Sequence, residues 1–166
     1  MESEAIRVIK TRRSVRKFKT DPIDEAIIRD VVDCGRLAAT GRNDQPWEFV
    51  VVRDASMRGR IADLTECGKF IRVAPVCIAV MCRNTKYFLE DGSAAIQNML
   101  VAAGAHSIGT CWVAGDKKPY APQIAALLGA PEGIRLIGLI AMGYAAEPPQ
   151  MPSKRSLEEV LHWERL

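Results

Sequence analysis

The sequence predicts a three-layer domain of the α/β or α+β class. Patterns typical of helices and strands alternate along its 166 residues, and no repeat, low-complexity tract or linker interrupts them. A chain of this length can bury about 70% of its unfolded surface, enough for a substantial core. The strand spacings permit parallel or mixed pairing and do not decide between the two. We therefore expect a single domain over residues 1–166.

The first half of the chain predicts three helical segments and one strand. Residues 5–10 form a short helix pattern, and Asp24 is a good N-cap for an amphipathic helix predicted over 25–39. The apolar side chains that recur there at helical spacing are Ile27, Val31, Cys34 and Ala38, with Ile28 and Val32 beside them. The remaining segments are a loop at 40–44, a strand at 48–52 rich in β-branched residues, and a moderately helical stretch at 55–67.

The second half contributes the predicted centre of the fold. The continuous apolar run 76–82 is short enough for a buried strand. A long helix pattern starts at Phe88 or Asp91 and ends at Ala105, and its small residues suit the centre of a domain or a subunit interface. The other predicted elements are a strand at 108–115, a helix at 121–128 closed by Gly129, a core strand at 136–143 and a final helix at 157–163. We expect that last helix to pack against another subunit.

The charge pattern favours a small anion over a nucleic acid as the ligand, and the sequence predicts no membrane span. The net charge is only +3, yet seven basic residues and no acidic residue lie between positions 7 and 19. A general nucleic-acid binder spreads such charge over a face, whereas a small anion site concentrates it. No apolar run approaches the roughly 18–20 residues of a membrane span. Residues 1–4 lack the layout of a signal peptide, so we expect a cytoplasmic protein.

The cysteines and histidines predict neither a disulfide nor a metal centre. The five cysteines form no C-x-x-C pair, and their apolar surroundings predict reduced, mostly buried thiols. The two histidines lie in no metal-binding motif, so we do not expect a metal enzyme.

The most informative stretch is residues 12–18, Arg-Arg-Ser-Val-Arg-Lys-Phe. Guanidinium groups pair bidentately with phosphate oxygens, and a serine hydroxyl adds a further donor. Because the chain has no Gly-rich phosphate loop, side chains would have to hold such a phosphate. Lys154 and Arg155 offer a second basic pair, although a surface location is the commoner role of such a dipeptide. The alternatives are a solvated basic segment or a nucleic-acid contact with steeply salt-dependent binding.

Several blocks, taken together, carry a family resemblance. In chain order they read RRSVRKF at 12–18, NDQPWEF at 43–49, AIQN at 95–98, GTCW at 109–112, GYA at 143–145 and KRSLEE at 154–159. They resemble the nitroreductase family of FMN-dependent NAD(P)H oxidoreductases over essentially the whole chain. The resemblance implies an α+β fold whose central mixed or antiparallel sheet is flanked by helices. It also implies a homodimer with the long central helix at its interface and two shared active sites, each holding FMN.

The resemblance further implies which residues would hold the FMN phosphate and the pyrimidine edge of the flavin. On the N-terminal side these are Arg12, Arg13, Ser14 and Arg16. Lys154 and Arg155 would complete the phosphate site from the C-terminal side. Fixed cations near the flavin favour the negative charge that it gains on reduction.

Two further groups of residues would line the flavin ring. Thr40, Gly41 and Asn43 would come from the partner subunit. Ala114 and Gly115 would lie near flavin N5, with the backbone N–H of Gly115 as the donor.

The implied mechanism is ping-pong hydride transfer from NAD(P)H, through the flavin, to an electron-poor acceptor such as a nitro compound or a quinone. No side chain is expected to act as a catalytic acid or base. Many relatives carry Glu at the position of Ala114, and the chain is short around 81–91, so a flavin carrier or sensor without efficient turnover is the alternative. The acceptor and the preference between NADH and NADPH stay open. Lys69 and Arg72 have either a surface role or a contact with flavin O2.

Overall fold

A four-stranded antiparallel sheet forms the middle layer of the computed structural model, which describes residues 3–166. Met1 and Glu2 lie outside the described residues, and they are two of the four residues on which the signal-peptide prediction rests. The strands are β1 (Trp47–Val52), β2 (Val76–Arg83), β3 (Gly109–Ala114) and β4 (Ile134–Gly143), in the spatial order β1-β2-β4-β3. Every neighbouring pair of these strands is antiparallel, so the parallel pairing that the sequence left open does not occur among them.

Helices cover both faces of this sheet and complete the three predicted layers. The helices are α1 (Glu4–Thr11), α2 (Glu25–Arg36), α3 (Ala55–Leu64), α4 (Phe88–Ala105) and α5 (Ala121–Leu127), with short 3₁₀ turns at Gly41–Asn43 and Lys69–Arg72. Along β2, alternate side chains enter two separate cores because successive residues of a strand face opposite sides. Ile78 and Val80 pack on the α2 and α4 side, whereas Ala79 and Met81 pack on the α3 and α5 side.

The long helix α4 lies at the centre of one layer. Its side chains Ala95, Met99 and Ala103 are fully buried. A Cβ atom built on Gly35 of α2 would come within 2.7 Å of Met99 Cγ, so α2 packs closely against α4 at this point. The predicted cap of α2 is confirmed, because the Asp24 carboxylate accepts a 2.9 Å hydrogen bond from the Ala26 N–H.

Most predicted elements are confirmed, with shifts at their ends. Helix α2 ends at Arg36, three residues before the predicted end at 39, and the predicted loop after it contains a 3₁₀ turn. Strand β4 begins at Ile134, two residues before the predicted start at 136. A register shift between Val80 and Met81 leaves Ile137 of β4 as an extra, bulged residue.

The predicted final helix at 157–163 is wrong. This segment makes a single turn, in which the Leu161 N–H donates to the Leu157 carbonyl at 2.8 Å, and all of it is exposed. A helix this short needs packing on one face to be stable, and no residue of the range 3–166 buries this segment. The exposed apolar side chains of the tail are Met151, Leu157, Val160, Leu161, Trp163 and Leu166.

Membrane-spanning helices and metal-binding clusters are both absent from the described residues, 3–166. No helix in this range is long and apolar enough to cross a lipid bilayer. No three His, Cys, Asp or Glu side chains in the same range lie close enough together to hold a metal ion.

Candidate functional site

The basic segment 12–18 is fixed between the ends of two strands. The Val15 N–H donates to the Thr110 carbonyl of β3 at 2.9 Å, and the Lys19 N–H donates to the Tyr144 carbonyl just after β4 at 2.9 Å. Val15 and Phe18 are each only 6% exposed. Burial of these two side chains and the backbone bonds hold the cationic residues between them in one place.

Three guanidinium groups of this segment have no counterion among residues 3–166. Within the described residues no carboxylate lies within 4.0 Å of Arg12, Arg13 or Arg16, whereas Lys17 pairs with Glu147 at 3.0 Å. Arg13 donates from Nη1 to two backbone carbonyls, and its Nε is buried without any partner. Unpaired cations and an orphaned buried donor are the features expected of an anion site, because a bound anion would satisfy both.

Arg16 lies between two neighbouring cavities. One, of about 220 Å³, is lined by Ser14, Arg16, Lys17 and tail residues 147–150. The other, of about 160 Å³, is lined by Arg16, Trp112 and Ala114 among others. The structure thus brings Ser14, Arg16 and Ala114, three of the predicted site residues, to one region at the end of β3.

The backbone at Ala114 and Gly115 is held by specific contacts. The Tyr120 hydroxyl donates to the Ala114 carbonyl at 2.7 Å. A Cβ built on Gly115 would lie 2.8 Å from both the backbone C and O of Ile137, the bulged residue of β4. Only glycine therefore fits at position 115, and bulges of this kind often lie beside active sites.

The structure adds residues that the sequence analysis missed. Cys67, Phe70, Lys118 and Tyr120 line the same 160 Å³ cavity as Arg16 and Ala114. Lys118 pairs with Glu66 at 3.0 Å, and this hydrogen bond and charge raise the pKa of the Lys118 ammonium. No motif marks these residues, because the contacts join segments about 50 positions apart.

Three of the five cysteines are buried, which confirms the prediction of mostly buried thiols. Burial raises the pKa of Cys77 and of Cys82 to about 12. Burial also raises the pKa of Cys111, although the charges of Arg16 and Arg12 and a hydrogen bond from Ser14 act in the opposite direction. Cys34 is half-buried and Cys67 is exposed.

The loop that contains Thr40, Gly41 and Asn43 is anchored at the other end of the molecule. The Gly41 N–H donates to the buried Asp91 carboxylate at 2.8 Å, and the Gln45 N–H donates to the Thr40 hydroxyl at 3.2 Å. Asn43 has a positive φ of 58°, as does Arg42 with 59°. Residues with side chains rarely adopt this conformation, so the loop is held in a defined and strained shape.

Helix α4 separates this loop from the arginine cluster. Asp91 in its first turn holds Gly41, whereas Gly104 near its other end packs against Val8 and Arg12. Thirteen residues of helix at about 1.5 Å each place these ends about 20 Å apart. One chain therefore does not bring Thr40, Gly41 and Asn43 to Arg12, Arg13 and Arg16.

The hydrogen bonds of the remaining predicted residues do not involve the arginine cluster. Lys154 and Arg155 are in the exposed tail, where Arg155 bonds the nearby Glu159 carbonyl at 2.5 Å. Lys69 donates to the carbonyls of Ala62 and Asp63 at the end of α3, and Arg72 pairs with Asp63. Both side chains are thus held by groups at the end of α3, and the contact with flavin O2 stays a prediction.

A depression of about 860 Å³ runs along the outer face of α2 and is not a second candidate. Its charged groups neutralise one another, as in the pairs Arg29–Glu25 at 2.8 Å and Arg36–Asp33 at 2.5 Å. None of the predicted site residues lines it.

Comparison with known proteins gives consistent matches. The model of the nitroreductase family matches residues 9–69 and 65–144. A protein of Methanothermobacter thermautotrophicus, provisionally named NADH dehydrogenase/NAD(P)H nitroreductase, is 30% identical over 152 residues, which cover 88% of this chain and 80% of that protein.

Solved structures agree with this match. A Bacteroides thetaiotaomicron protein that carries the same provisional name superposes with a TM-score of 0.92 at 28% identity, covering 100% of both chains. A provisionally named nitroreductase from Desulfovibrio desulfuricans, solved in complex with FMN, gives a TM-score of 0.85 at 29% identity and covers 100% of this chain and 99% of that one.

The cavity geometry predicts one rapidly reacting thiol per chain. We expect a disulfide reagent to modify Cys67 quickly at neutral pH, because the thiolate is the reactive form and Cys67 alone of the cavity cysteines is exposed. Cys111 should react slowly, since burial raises its pKa and lowers its thiolate fraction. Both rates are measured from the time course of absorbance of the coloured thiolate that the reagent releases when it reacts.

Two variants check the assignment. Cys67→Ser should abolish the fast phase, whereas Cys34→Ser, at a half-buried position on α2, should leave it intact. A fast phase that survives in Cys67→Ser would contradict this arrangement of the cavity.

Proposed function

This chain belongs to the nitroreductase family, and from that premise we propose that it is an FMN-dependent oxidoreductase. It uses NAD(P)H to reduce small electron-poor acceptors such as nitro compounds or quinones. The observation that carries the proposal is the Arg16 guanidinium, which has no carboxylate partner among the described residues and lines one cavity together with Ala114. The Desulfovibrio desulfuricans relative, solved with FMN, supports the choice of cofactor.

The donor set fits a phosphate-bearing cofactor. Arg12, Arg13 and Arg16 supply uncompensated positive charge, and the buried Nε of Arg13 is a donor in need of an acceptor. Together with Ser14 they hold the phosphate and the pyrimidine edge of FMN. The Arg13 Nε is buried, so bulk solvent does not reach it, and it has no hydrogen-bond partner in this structure. A phosphate dianion would supply the missing acceptor.

The chain contributes position and electrostatics rather than acid–base chemistry. Bound FMN supplies hydride acceptance and donation. Arg16 adds positive charge beside the cavity where the ring edge would lie, and the Gly115 N–H is the proposed donor at its reactive position. No side chain serves as a catalytic acid or base, and protons come from water. The donor and the acceptor use the same cavity in turn, which makes the kinetics ping-pong.

The proposed assembly is a homodimer with shared active sites. Thr40, Gly41 and Asn43 lie about 20 Å from the arginine cluster of their own chain, as the length of α4 requires. A second subunit is the simplest source of these residues at the cluster. We propose that Lys154 and Arg155 join the phosphate site when the tail packs against that subunit.

The tail itself supports an assembly of this kind. Trp163 is 76% exposed and Leu157 is 63% exposed, together with four other large apolar side chains after residue 150. Contiguous exposed apolar groups of this size mark interaction surfaces.

We further propose that residues 1–166 form one domain and that the protein is cytoplasmic. A carrier or sensor role is not favoured, since the relatives from Methanothermobacter thermautotrophicus and Archaeoglobus fulgidus carry the names of a dehydrogenase and nitroreductase.

The first prediction tests cofactor and activity together. The purified protein should show a flavin absorbance spectrum, or acquire one on addition of FMN, and the spectrum should bleach anaerobically with NADPH or NADH. A spectrum that resists both donors would favour the carrier or sensor role. A colourless protein that takes up no FMN would contradict the proposal.

A second prediction tests the phosphate site. Arg12→Ala and Arg16→Ala should each weaken FMN binding by about tenfold or more, because a charge-assisted hydrogen bond is worth about 1.5–3 kcal/mol. Fluorescence titration of the apoprotein with FMN measures the dissociation constant. Lys19→Ala is the matched control, since Lys19 is an exposed cation of the same segment without a side-chain partner among the described residues. Normal affinity in both arginine variants would remove them from the site.

A third prediction tests the dimer. The protein should sediment as a dimer, and Trp163→Glu should raise the dimer dissociation constant by about tenfold or more, because it replaces about 2 kcal/mol of apolar burial with a charge. Analytical ultracentrifugation measures both, with Glu158→Gln, an exposed tail position, as the control. An FMN-loaded monomer at micromolar concentration would contradict the shared site.

A further inference from the structure

A second group of guanidinium groups surrounds a cavity on the other side of the 3₁₀ turn Lys69–Arg72. This cavity has a volume of about 360 Å³. Phe70 of the turn lines the smaller cavity at Ala114, whereas Arg72 lines this one. The polar groups of the lining belong to Thr20, Arg53, Arg58 and Arg72, and no carboxylate is among them.

Arg58 is the buried polar side chain among the residues that line this cavity. It is 9% exposed, and its Nη1 donates to the carbonyls of Arg72, at 2.9 Å, and Ala74. Its Nε is buried and has no partner, and its Nη2 makes no hydrogen bond to any described residue. Nε and Nη2 form the edge with which a guanidinium pairs bidentately with an oxyanion. The edge that is left free is therefore the one suited to a phosphate or a carboxylate.

The charge around this cavity is not balanced. No carboxylate among residues 3–166 lies within 4.0 Å of Arg58, and a buried cation without a counterion is unfavourable. Arg72 pairs with Asp63, and Arg53 with Glu25 at a long 3.7 Å, but both pairs are solvent-exposed and screened. The cavity therefore carries net positive charge.

We propose that this cavity is a second oxyanion site, which binds the phosphate group of a small molecule through Arg53, Arg58 and Arg72. Three guanidinium groups and the Thr20 hydroxyl supply more donors than a single carboxylate can accept, which favours a phosphate. The site is distinct from the proposed FMN phosphate site, whose cations are on the segment 12–18. Free inorganic phosphate and the phosphate ester of a nucleotide share this chemistry.

The test is a calorimetric titration of inorganic phosphate into the FMN-loaded protein, with the ionic strength held constant by chloride. Saturable binding of one phosphate per chain is expected. Arg53→Gln/Arg72→Gln should weaken it by about tenfold or more, because two charged donors are lost. This double variant leaves Arg58 in place, since the Arg58 bonds to the Arg72 and Ala74 carbonyls contribute to the fold.

Two controls separate the alternatives. Arg60 is an exposed cation on α3, the helix that carries Arg58, but it does not line the cavity. Arg60→Gln should therefore leave phosphate binding unchanged. Excess FMN should not displace the phosphate; displacement would locate the phosphate at residues 12–16 and overturn the proposal. Absence of saturable binding, or unchanged affinity in the double variant, would overturn it as well.

A parallel titration with AMP identifies the source of the phosphate. Tighter binding of AMP than of inorganic phosphate, lost in Arg53→Gln/Arg72→Gln, supports a nucleotide ester. Weaker binding of AMP, with the same loss for inorganic phosphate, supports free phosphate.

Discussion

The candidate site depends on the burial of two apolar side chains within a run of cations. Arg12, Arg13 and Arg16 repel one another, and an unrestrained segment would spread them apart. Val15 and Phe18 are buried, and backbone bonds from this segment reach both β3 and the end of β4. The sheet thus holds the guanidinium groups together before any ligand is present. Such preorganisation is what an enzyme needs to bind an anion without reorganising its charges.

The elements that the sequence predicts correctly are those that this chain's own core stabilises. The helix α4 and the strand β2 have strong apolar patterns, and each packs against neighbours in the same chain. The final helix at 157–163 was wrong for the complementary reason. Its apolar pattern is real, but no surface formed by the described part of the chain covers it, so local propensity alone does not form a helix there.

The candidate site divides in the same way. The arginine cluster is local in sequence, so charge density alone identifies it. Cys67 and Tyr120 contribute through tertiary contacts between distant segments, and no spacing rule predicts them. Arg58 is another example. It belongs to a weak helix pattern, and nothing in that pattern predicts that its side chain is buried and donates to two backbone carbonyls.

Helix α4 acts as a spacer between two half-sites, and this has a genetic consequence in the proposed dimer. In a mixed dimer, a lesion in the arginine cluster of one chain and a lesion in the loop 40–45 of the other would fall in opposite halves of the same site. A mixed dimer of the two chains would hold one doubly damaged site and one intact site. Two inactive alleles of this type would therefore complement each other when expressed in the same cell, whereas two alleles altered in the same half would not.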